Sequence, residues 1–97
     1  MKQVQSKPKP KRKKITFSIE AAVAKEVILM GDFNHWKPNQ HKMKKDKHGS
    51  WIKSLILPPG KYEYKFLIDG EWKEDPQNPQ MCSNCFGTVN SVVTLPA

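Results

Sequence analysis

Two tryptophans on turns are the residues of this chain best suited to contact a ligand. Trp36 ends the run Gly31–Trp36 (GDFNHW), and Trp72 ends Asp69–Trp72 (DGEW). Both turns lie beside runs that read as strands, where a large ring has little core to enter and stays partly exposed. A flat apolar face surrounded by hydrogen-bonding side chains suits a sugar ring, which has an apolar C–H face and a rim of hydroxyls.

The two cysteines form a single Cys82-Ser-Asn-Cys85 pair, which is at most half of a zinc site. None of the three histidines follows at a finger-like spacing. No βαβ pattern supports a redox motif. We interpret the cysteines as reduced thiols in a loop, and we predict no metal site and no cofactor.

Carboxylates near the two turns raise the question of catalysis, because a glycosidase needs a pair of them across the sugar bond. They are Asp32, Asp69, Glu71, Glu74 and Asp75. Asp69 occupies a hairpin position where Asp is favoured for its geometry, and Asp75 precedes a proline in a turn. A chain of 97 residues offers little pocket in which burial could raise the pKa of an acid. We therefore predict no catalytic residue.

The elements that must position these residues read as short strands separated by turns. The predicted strands are Lys14–Glu20, Glu26–Gly31, Trp51–Leu57, Gly60–Ile68, Glu71–Lys73 and Thr88–Leu95. Asp69-Gly70 is the strongest hairpin signal, since both turn positions of a type I′ hairpin need φ > 0. Residues 75–86 read as a long loop, and no ten-residue segment has a helical stripe. The pattern predicts an all-β, antiparallel β-sandwich.

The run Gly60–Ile68 has two distinct faces. One carries Tyr62, Tyr64, Phe66 and Ile68, and the other carries Glu63, Lys65 and Leu67. Alternation does not decide which of them faces the core, because both carry apolar residues. Trp51 begins a strand, and we expect it to lie in the core.

Charge divides the chain into a tail and a domain. The formal net charge is +8, and residues 1–14 (MKQVQSKPKPKRKK) hold seven basic residues and no acid. Such a segment cannot bury a core, so we predict a disordered basic tail over 1–14 and one domain over 15–97. Any nucleic-acid binding would be confined to the tail, because the domain is nearly neutral.

Location follows from what the sequence does not contain. No stretch is apolar enough to cross a bilayer. The basic N-terminus is not followed by the apolar region of a signal peptide. These observations predict a cytoplasmic protein without membrane contact, and we expect a monomer.

Several segments resemble one known family and occur in the same order as in that family. They are Val27–Trp36, Leu57–Phe66, Asp69–Trp72, Asp75-Pro76 and Gly87–Val93. The family is carbohydrate-binding module family 48, which includes the glycogen-binding domain of the AMP-activated protein kinase beta subunit and the N-terminal domains of isoamylases and branching enzymes. The resemblance spans about residues 15–95. It implies an immunoglobulin-like sandwich (early-set type) that binds α-1,4-glucan.

The resemblance also implies a set of site residues. Two tryptophans that form a stacking platform in the family match Trp36 and Trp72, and a hydroxyl-binding lysine matches Lys65. In the closing loop, the resemblance implies Phe86, Thr88 and Asn90. Kinase-type members usually carry Leu at the position of Phe86, so this chain departs from the family there.

These observations lead to one preferred function and one alternative. The preferred function is a non-catalytic module that binds glycogen or starch through the two-tryptophan platform. The alternative is a protein-interaction or structural module of the same fold that accompanies a glucan-active enzyme or a kinase complex.

Overall fold

The computed structural model describes residues 12–84 and 87–96. Within them the chain forms strands and one 3-10 turn, Asp32–Asn34. The strands are β1 (Lys13–Glu20), β2 (Val27–Gly31), β3 (Lys44–Lys45), β4 (Ser50–Leu57), β5 (Gly60–Ile68), β6 (Glu71–Lys73), β7 (Met81–Ser83) and β8 (Val89–Leu95). No helix in these residues is long and apolar enough to span a membrane.

Two antiparallel sheets make up the fold. One has the order β1-β4-β3, and the other has the order β2-β5-β8-β7 with β6 paired to β5. Strand β5 is central to the second sheet: its C-terminal half pairs with β2 and β6, and its N-terminal half pairs with β8. The predicted all-β antiparallel sandwich is confirmed.

The core lies between the sheets and is rich in aromatic rings. Phe17 of β1 meets Tyr64 of β5 edge-on, with ring centroids 4.9 Å apart. Trp51 of β4 is buried, and its indole Nε1 donates to the Ala21 carbonyl at 2.9 Å. Trp51 is therefore a core residue, as its position at the start of a strand predicts.

The structure settles which face of β5 is the core. Tyr64 and Phe66 are only 2% and 0% exposed and belong to the core cluster. Side chains alternate along a strand, so Glu63, Lys65 and Leu67 point to the outer side of the second sheet. The aromatic row thus stabilises the sandwich, and the opposite row is available for a site.

The turn after β5 follows the prediction. Asp69 and Gly70 have φ values of 48° and 87°, which suits a type I′ hairpin and brings β6 back against β5. The Asp69 carboxylate also accepts the backbone N–H groups of Lys25 and Glu26. This carboxylate is occupied in holding the fold.

Some predicted boundaries differ from the structure. Strand β1 begins at Lys13, so Lys13 and Lys14 belong to the sheet and not to the tail, paired with Leu57 and Ile56. Strands β3 and β7 are absent from the prediction because two or three residues leave no detectable alternation. Cys82 lies in β7 and not in a loop. Of the tail predicted to be disordered over 1–14, residues 1–11 lie outside the described residues.

Candidate functional site

A cleft of about 590 Å³ opens on the outer face of the second sheet. Its lining residues are Met30, Asp32, Trp36, Glu63, Lys65, Trp72, Asn84, Thr88 and Asn90. Five of the six residues implied by the resemblance are among them. Phe86 lies outside the described residues, as does Cys85.

The register of the strands explains why these side chains meet. Lys65 pairs with Met30 of β2, and Glu63 pairs with Val92 of β8, two residues after Asn90. Paired residues in neighbouring strands point to the same face, as do residues two apart in one strand. The outer faces of β2, β5 and β8 therefore form one continuous floor.

Trp36 is held at the rim of the cleft by the turn after β2. His35 and Trp36 have φ values of 55° and 59°, which are unfavourable for residues with bulky side chains. The buried Asn34 side chain offsets this cost. Its Oδ1 accepts the N–H groups of Gly31 at 3.1 Å and of Trp36 at 3.0 Å, and its Nδ2 donates to the Leu29 carbonyl at 3.0 Å.

Gly31 permits this turn because it leaves no side chain in a crowded place. A Cβ there would lie 2.6 Å from the Glu63 carbonyl oxygen and 2.7 Å from the Phe33 ring. Any larger residue would push β2 away from β5 where the cleft begins.

Trp72 reaches the cleft from the β5–β6 hairpin. It pairs with Leu67, and the residue is 52% exposed, which is high for a tryptophan. Its ring lies 6.2 Å from the half-buried ring of Trp36, with an interplanar angle of 62°. The two rings thus form an angled pair and not one flat surface.

A chain of hydrogen bonds crosses the floor between the rings and β8. Lys65 Nζ donates to Thr88 Oγ1 at 3.2 Å, and Asn84 Nδ2 donates to the same hydroxyl oxygen at 2.7 Å. Asn84 Nδ2 also reaches Asn90 Oδ1 at 3.2 Å, and Asn90 Nδ2 donates to Glu63 Oε1 at 3.0 Å. Because Thr88 accepts two of these bonds, its hydroxyl proton is left to donate elsewhere.

Lys65 is the most unusual member of this floor. It is only 6% exposed, and lysines are rarely buried so deeply without an anionic partner. Within residues 12–84 and 87–96, its ammonium has no carboxylate at ion-pair distance. An ammonium has three N–H donors, so donors remain for a ligand in the cleft.

Sequence reasoning missed four residues that line the cleft. Alternation places Glu63 beside Lys65, so that signal was present in the sequence. Met30 lines the cleft because β2 pairs it with Lys65 of β5, and no local sequence pattern indicates this pairing. Asp32 and Asn84 act from turns, where period-2 alternation gives no information on orientation.

Three of the carboxylates considered for catalysis are occupied in holding the fold. Besides Asp69, the buried Asp75 accepts the Tyr64 hydroxyl at 2.7 Å and the N–H of Gln77 at 3.0 Å. Asp32 accepts the indole N–H of Trp36 and the N–H of Glu63. Burial raises the pKa of the Tyr64 hydroxyl, which keeps it a donor.

His41 supports the turn that carries Trp36 through its contact with Asn34. Asn34 Oδ1 already accepts two backbone N–H groups, so Nδ2 must face His41 Nδ1, 2.8 Å away. That ring nitrogen is therefore the acceptor and carries no proton. Burial, with a smaller contribution from the positive charge of Lys53, lowers the pKa of His41 below its ordinary 6.5.

We expect the stability of the domain to fall as the pH drops below 6.5, the ordinary pKa of histidine. The unfolded chain binds a proton on His41 more readily than the folded chain does. The contribution of neutral His41 to the free energy of unfolding is therefore complete above pH 6.5 and declines below it. The measurement is the Tm of the wild type and His41→Gln at about pH 7.5 and about pH 5.5. Glutamine can accept the Asn34 bond without titrating, so its loss of Tm should be smaller. His48→Gln, an exposed histidine, should retain the wild-type loss. Equal losses in wild type and His41→Gln would contradict this account.

Comparison with known proteins identifies the family. A family model described as the glycogen recognition site of AMP-activated protein kinase matches residues 14–97. The chain belongs to this family. It is therefore a member of a glycogen-binding module family, as the resemblance implies. The family is one of carbohydrate recognition and not of catalysis.

Named relatives agree with this assignment. The chain is 52% identical over 72 residues to Protein PTST homolog 2, chloroplastic, of Arabidopsis thaliana, covering 74% of this chain and 13% of that protein. It is 41% identical over 72 residues to 5'-AMP-activated protein kinase subunit beta-1 of Sus scrofa, covering 73% and 55%. It is 39% identical over 72 residues to Protein FLOURY ENDOSPERM 6, chloroplastic, of Oryza sativa subsp. japonica, covering 74% and 13%. The chain thus spans between 13% and 55% of the length of these relatives.

The comparisons correct one prediction. The absence of a recognisable signal peptide led to a cytoplasmic location, and this prediction is wrong. The relatives from Arabidopsis thaliana and Oryza sativa are chloroplastic proteins.

Proposed function

We propose that this domain binds linear α-1,4-glucan in the cleft without catalysing a reaction on it. Trp36 and Trp72 would stack on glucose rings. Lys65, Thr88 and Asn90 would form hydrogen bonds to the hydroxyls, and Phe86 would contact the sugar from the closing loop. The observation that carries the proposal is the convergence of Trp36, Trp72 and the buried Lys65 on one cleft in a member of a glycogen-binding family.

The shape of the site supports a glucan ligand. An α-1,4-linked chain curves, so the faces of successive glucose units are inclined to one another. Two rings at an angle of 62° match a curved chain better than a flat one. Aromatic faces at the rim and polar groups on the floor also match the two faces of a sugar.

The polar floor supports hydroxyls as the groups that are bound. The Lys65 ammonium and the Thr88 hydroxyl each have a donor to spare after the bonds described above. Hydrogen-bond donors held in place by their neighbours lose little freedom when a ligand arrives. A neutral hydroxyl can take such donors without bringing a counter-charge into the cleft.

The wider setting is also a proposal. Because the chain spans only part of each relative, we propose that the domain directs glucan binding for a larger assembly. The likeness to kinase beta subunits supports a kinase or a glucan-active enzyme as partner. The likeness to chloroplastic proteins supports a plastid location.

The test is titration with maltoheptaose, followed by tryptophan fluorescence and amide shifts. A shallow site that stacks a few sugars should bind in the micromolar to millimolar range, about −4 to −8 kcal/mol. Trp36→Ala and Trp72→Ala should each weaken binding by at least about tenfold, because an aromatic anchor supplies a large share of the contact energy. Ile56→Ala, an exposed residue of β4 in the other sheet, is the control and should bind like the wild type. No response of the wild type at millimolar sugar would refute the proposal.

A further inference from the structure

Asp32 stands where β2 separates from β5. The ladder pairs Met30 with Lys65 and Gly31 with Tyr64, so continued pairing would bring Asp32 opposite Glu63. The chain instead enters the 3-10 turn at this residue. The Asp32 side chain bridges the gap, because its Oδ2 accepts the Glu63 N–H at 2.9 Å.

The other carboxylate oxygen of Asp32 reaches the ring of Trp36. The indole Nε1 donates to Oδ1 at 3.1 Å. One side chain therefore connects a central strand of the second sheet with the aromatic ring at the rim of the cleft. Bonds to a carboxylate are stronger than neutral ones, and two of them fix the orientation of the carboxylate plane.

The backbone alone does not fix the orientation of the Trp36 ring. The bonds from the Trp36 N–H to Gly31 and to Asn34 hold its Cα but leave both side-chain torsions free. The bond to Asp32 acts on the ring itself, at Nε1, and so restricts both torsions. It also occupies the indole N–H, so this donor is already satisfied before a ligand arrives.

We propose that Asp32 is a positioning residue that holds Trp36 in the orientation needed for stacking. This inference rests on the proposed function. Because Glu63 and Lys65 lie on the same strand, Asp32 sets the distance between the stacking ring and the polar floor. Ordering the ring before the ligand arrives improves affinity, because the entropy of ordering is not lost on binding.

The experiment compares Asp32→Ala, Asp32→Asn and Asp46→Ala in maltoheptaose titrations. Asp46 is a matched control: its carboxylate likewise accepts two N–H groups, here the backbone N–H groups of His48 and Ser50, but in the turn between β3 and β4, outside the cleft. We expect Asp32→Ala to weaken binding by about tenfold. Asp32→Asn retains one acceptor oxygen and should be intermediate. Asp46→Ala should lose a similar amount of Tm and bind like the wild type.

A second measurement reports on the ring itself. In ¹H–¹⁵N spectra, the indole signal of Trp36 should move upfield in Asp32→Ala, because its hydrogen bond is lost, while that of Trp51 in the core should stay in place. If the wild type binds but Asp32→Ala binds equally well with an unmoved Trp36 signal, the inference is overturned. If Asp46→Ala weakens binding as much as Asp32→Ala, the effect is one of stability and the inference is again overturned. If the wild type does not bind maltoheptaose, the proposed function fails. The Trp36 indole signal then shows separately whether Asp32 accepts a hydrogen bond from Trp36.

Discussion

Trp51→Ala is expected to destabilise the domain by about 3–5 kcal/mol, because it removes a buried ring from the core cluster. Trp51 packs in the core cluster and donates its indole N–H to the Ala21 carbonyl, which would keep only its bond from the Ala24 N–H. A domain of this size is stable by about 5–15 kcal/mol, so the variant should lose a large share of that stability. Chemical denaturation and Tm are the measurements, and Tm should fall by more than about 10 °C.

Trp72→Ala provides the comparison within the same residue type. Trp72 is exposed, and its truncation leaves no internal cavity, so its Tm should stay close to that of the wild type. The two variants therefore separate stability from binding. A normal Tm for Trp51→Ala together with lost glucan binding would mean that the core and the site have been assigned in reverse.

The sequence predicted the long elements well because they repeat a clear pattern. Strand β5 has the predicted bounds, Gly60–Ile68, since it alternates over its whole length. The hairpin at Asp69-Gly70 has the positive φ values that its two residues predict. The short strands β3 and β7 were missed, because their positions depend on pairing with β4 and β8 and not on their own side chains.

The candidate site was predictable only in part. Trp36 and Trp72 could be selected from their turns, and the family resemblance added Lys65, Thr88 and Asn90. Neither route indicates that Asn84 joins Thr88 to Asn90, because that contact depends on how the loop before β8 folds back. The angle between the two tryptophans likewise arises from two separate turns, and no local rule specifies it.

The fold explains why site and core can be close without disturbing each other. On β5, the side chains of Tyr64 and Phe66 lie in the core, and those of Glu63 and Lys65 lie on the opposite face of the sheet, in the cleft. Period-2 geometry thus lets one strand supply both the rigid support and the polar floor. The rim is different, because Trp36 is held by a turn whose order depends on a few side-chain bonds.

Asn34→Ala is expected to have the second large effect, on both stability and binding. Asn34 is buried and makes four hydrogen bonds, to Gly31, Leu29, Trp36 and His41. Its loss removes all four bonds, at about 1–3 kcal/mol for each group that neither water nor another partner reaches; the Trp36 N–H keeps its bond to the Gly31 carbonyl. We expect a total of about 3–5 kcal/mol, since part of the turn is open to solvent. Denaturation measures the loss of stability, and maltoheptaose titration below the Tm should show weaker binding, because Trp36 sits on this turn.

Asn34→Asp tests the same turn through its charge. It retains the oxygen that accepts from Gly31 and Trp36, but it places a carboxylate oxygen against Nδ1 of His41. A neighbouring negative charge favours the protonated imidazole, so the pKa of His41 in the folded variant should rise above its ordinary value. When the pKa of His41 is raised in the folded state, protonation of His41 stabilises the fold. This stabilisation is complete when the pH is below the ordinary pKa of histidine, and it is lost as the pH rises through the raised pKa of the folded state. The variant should therefore gain stability on acidification over the range where the wild type loses it. If Asn34→Asp and the wild type respond alike to pH, Asn34 and His41 are not coupled, and the pH dependence of the wild type must come from another group.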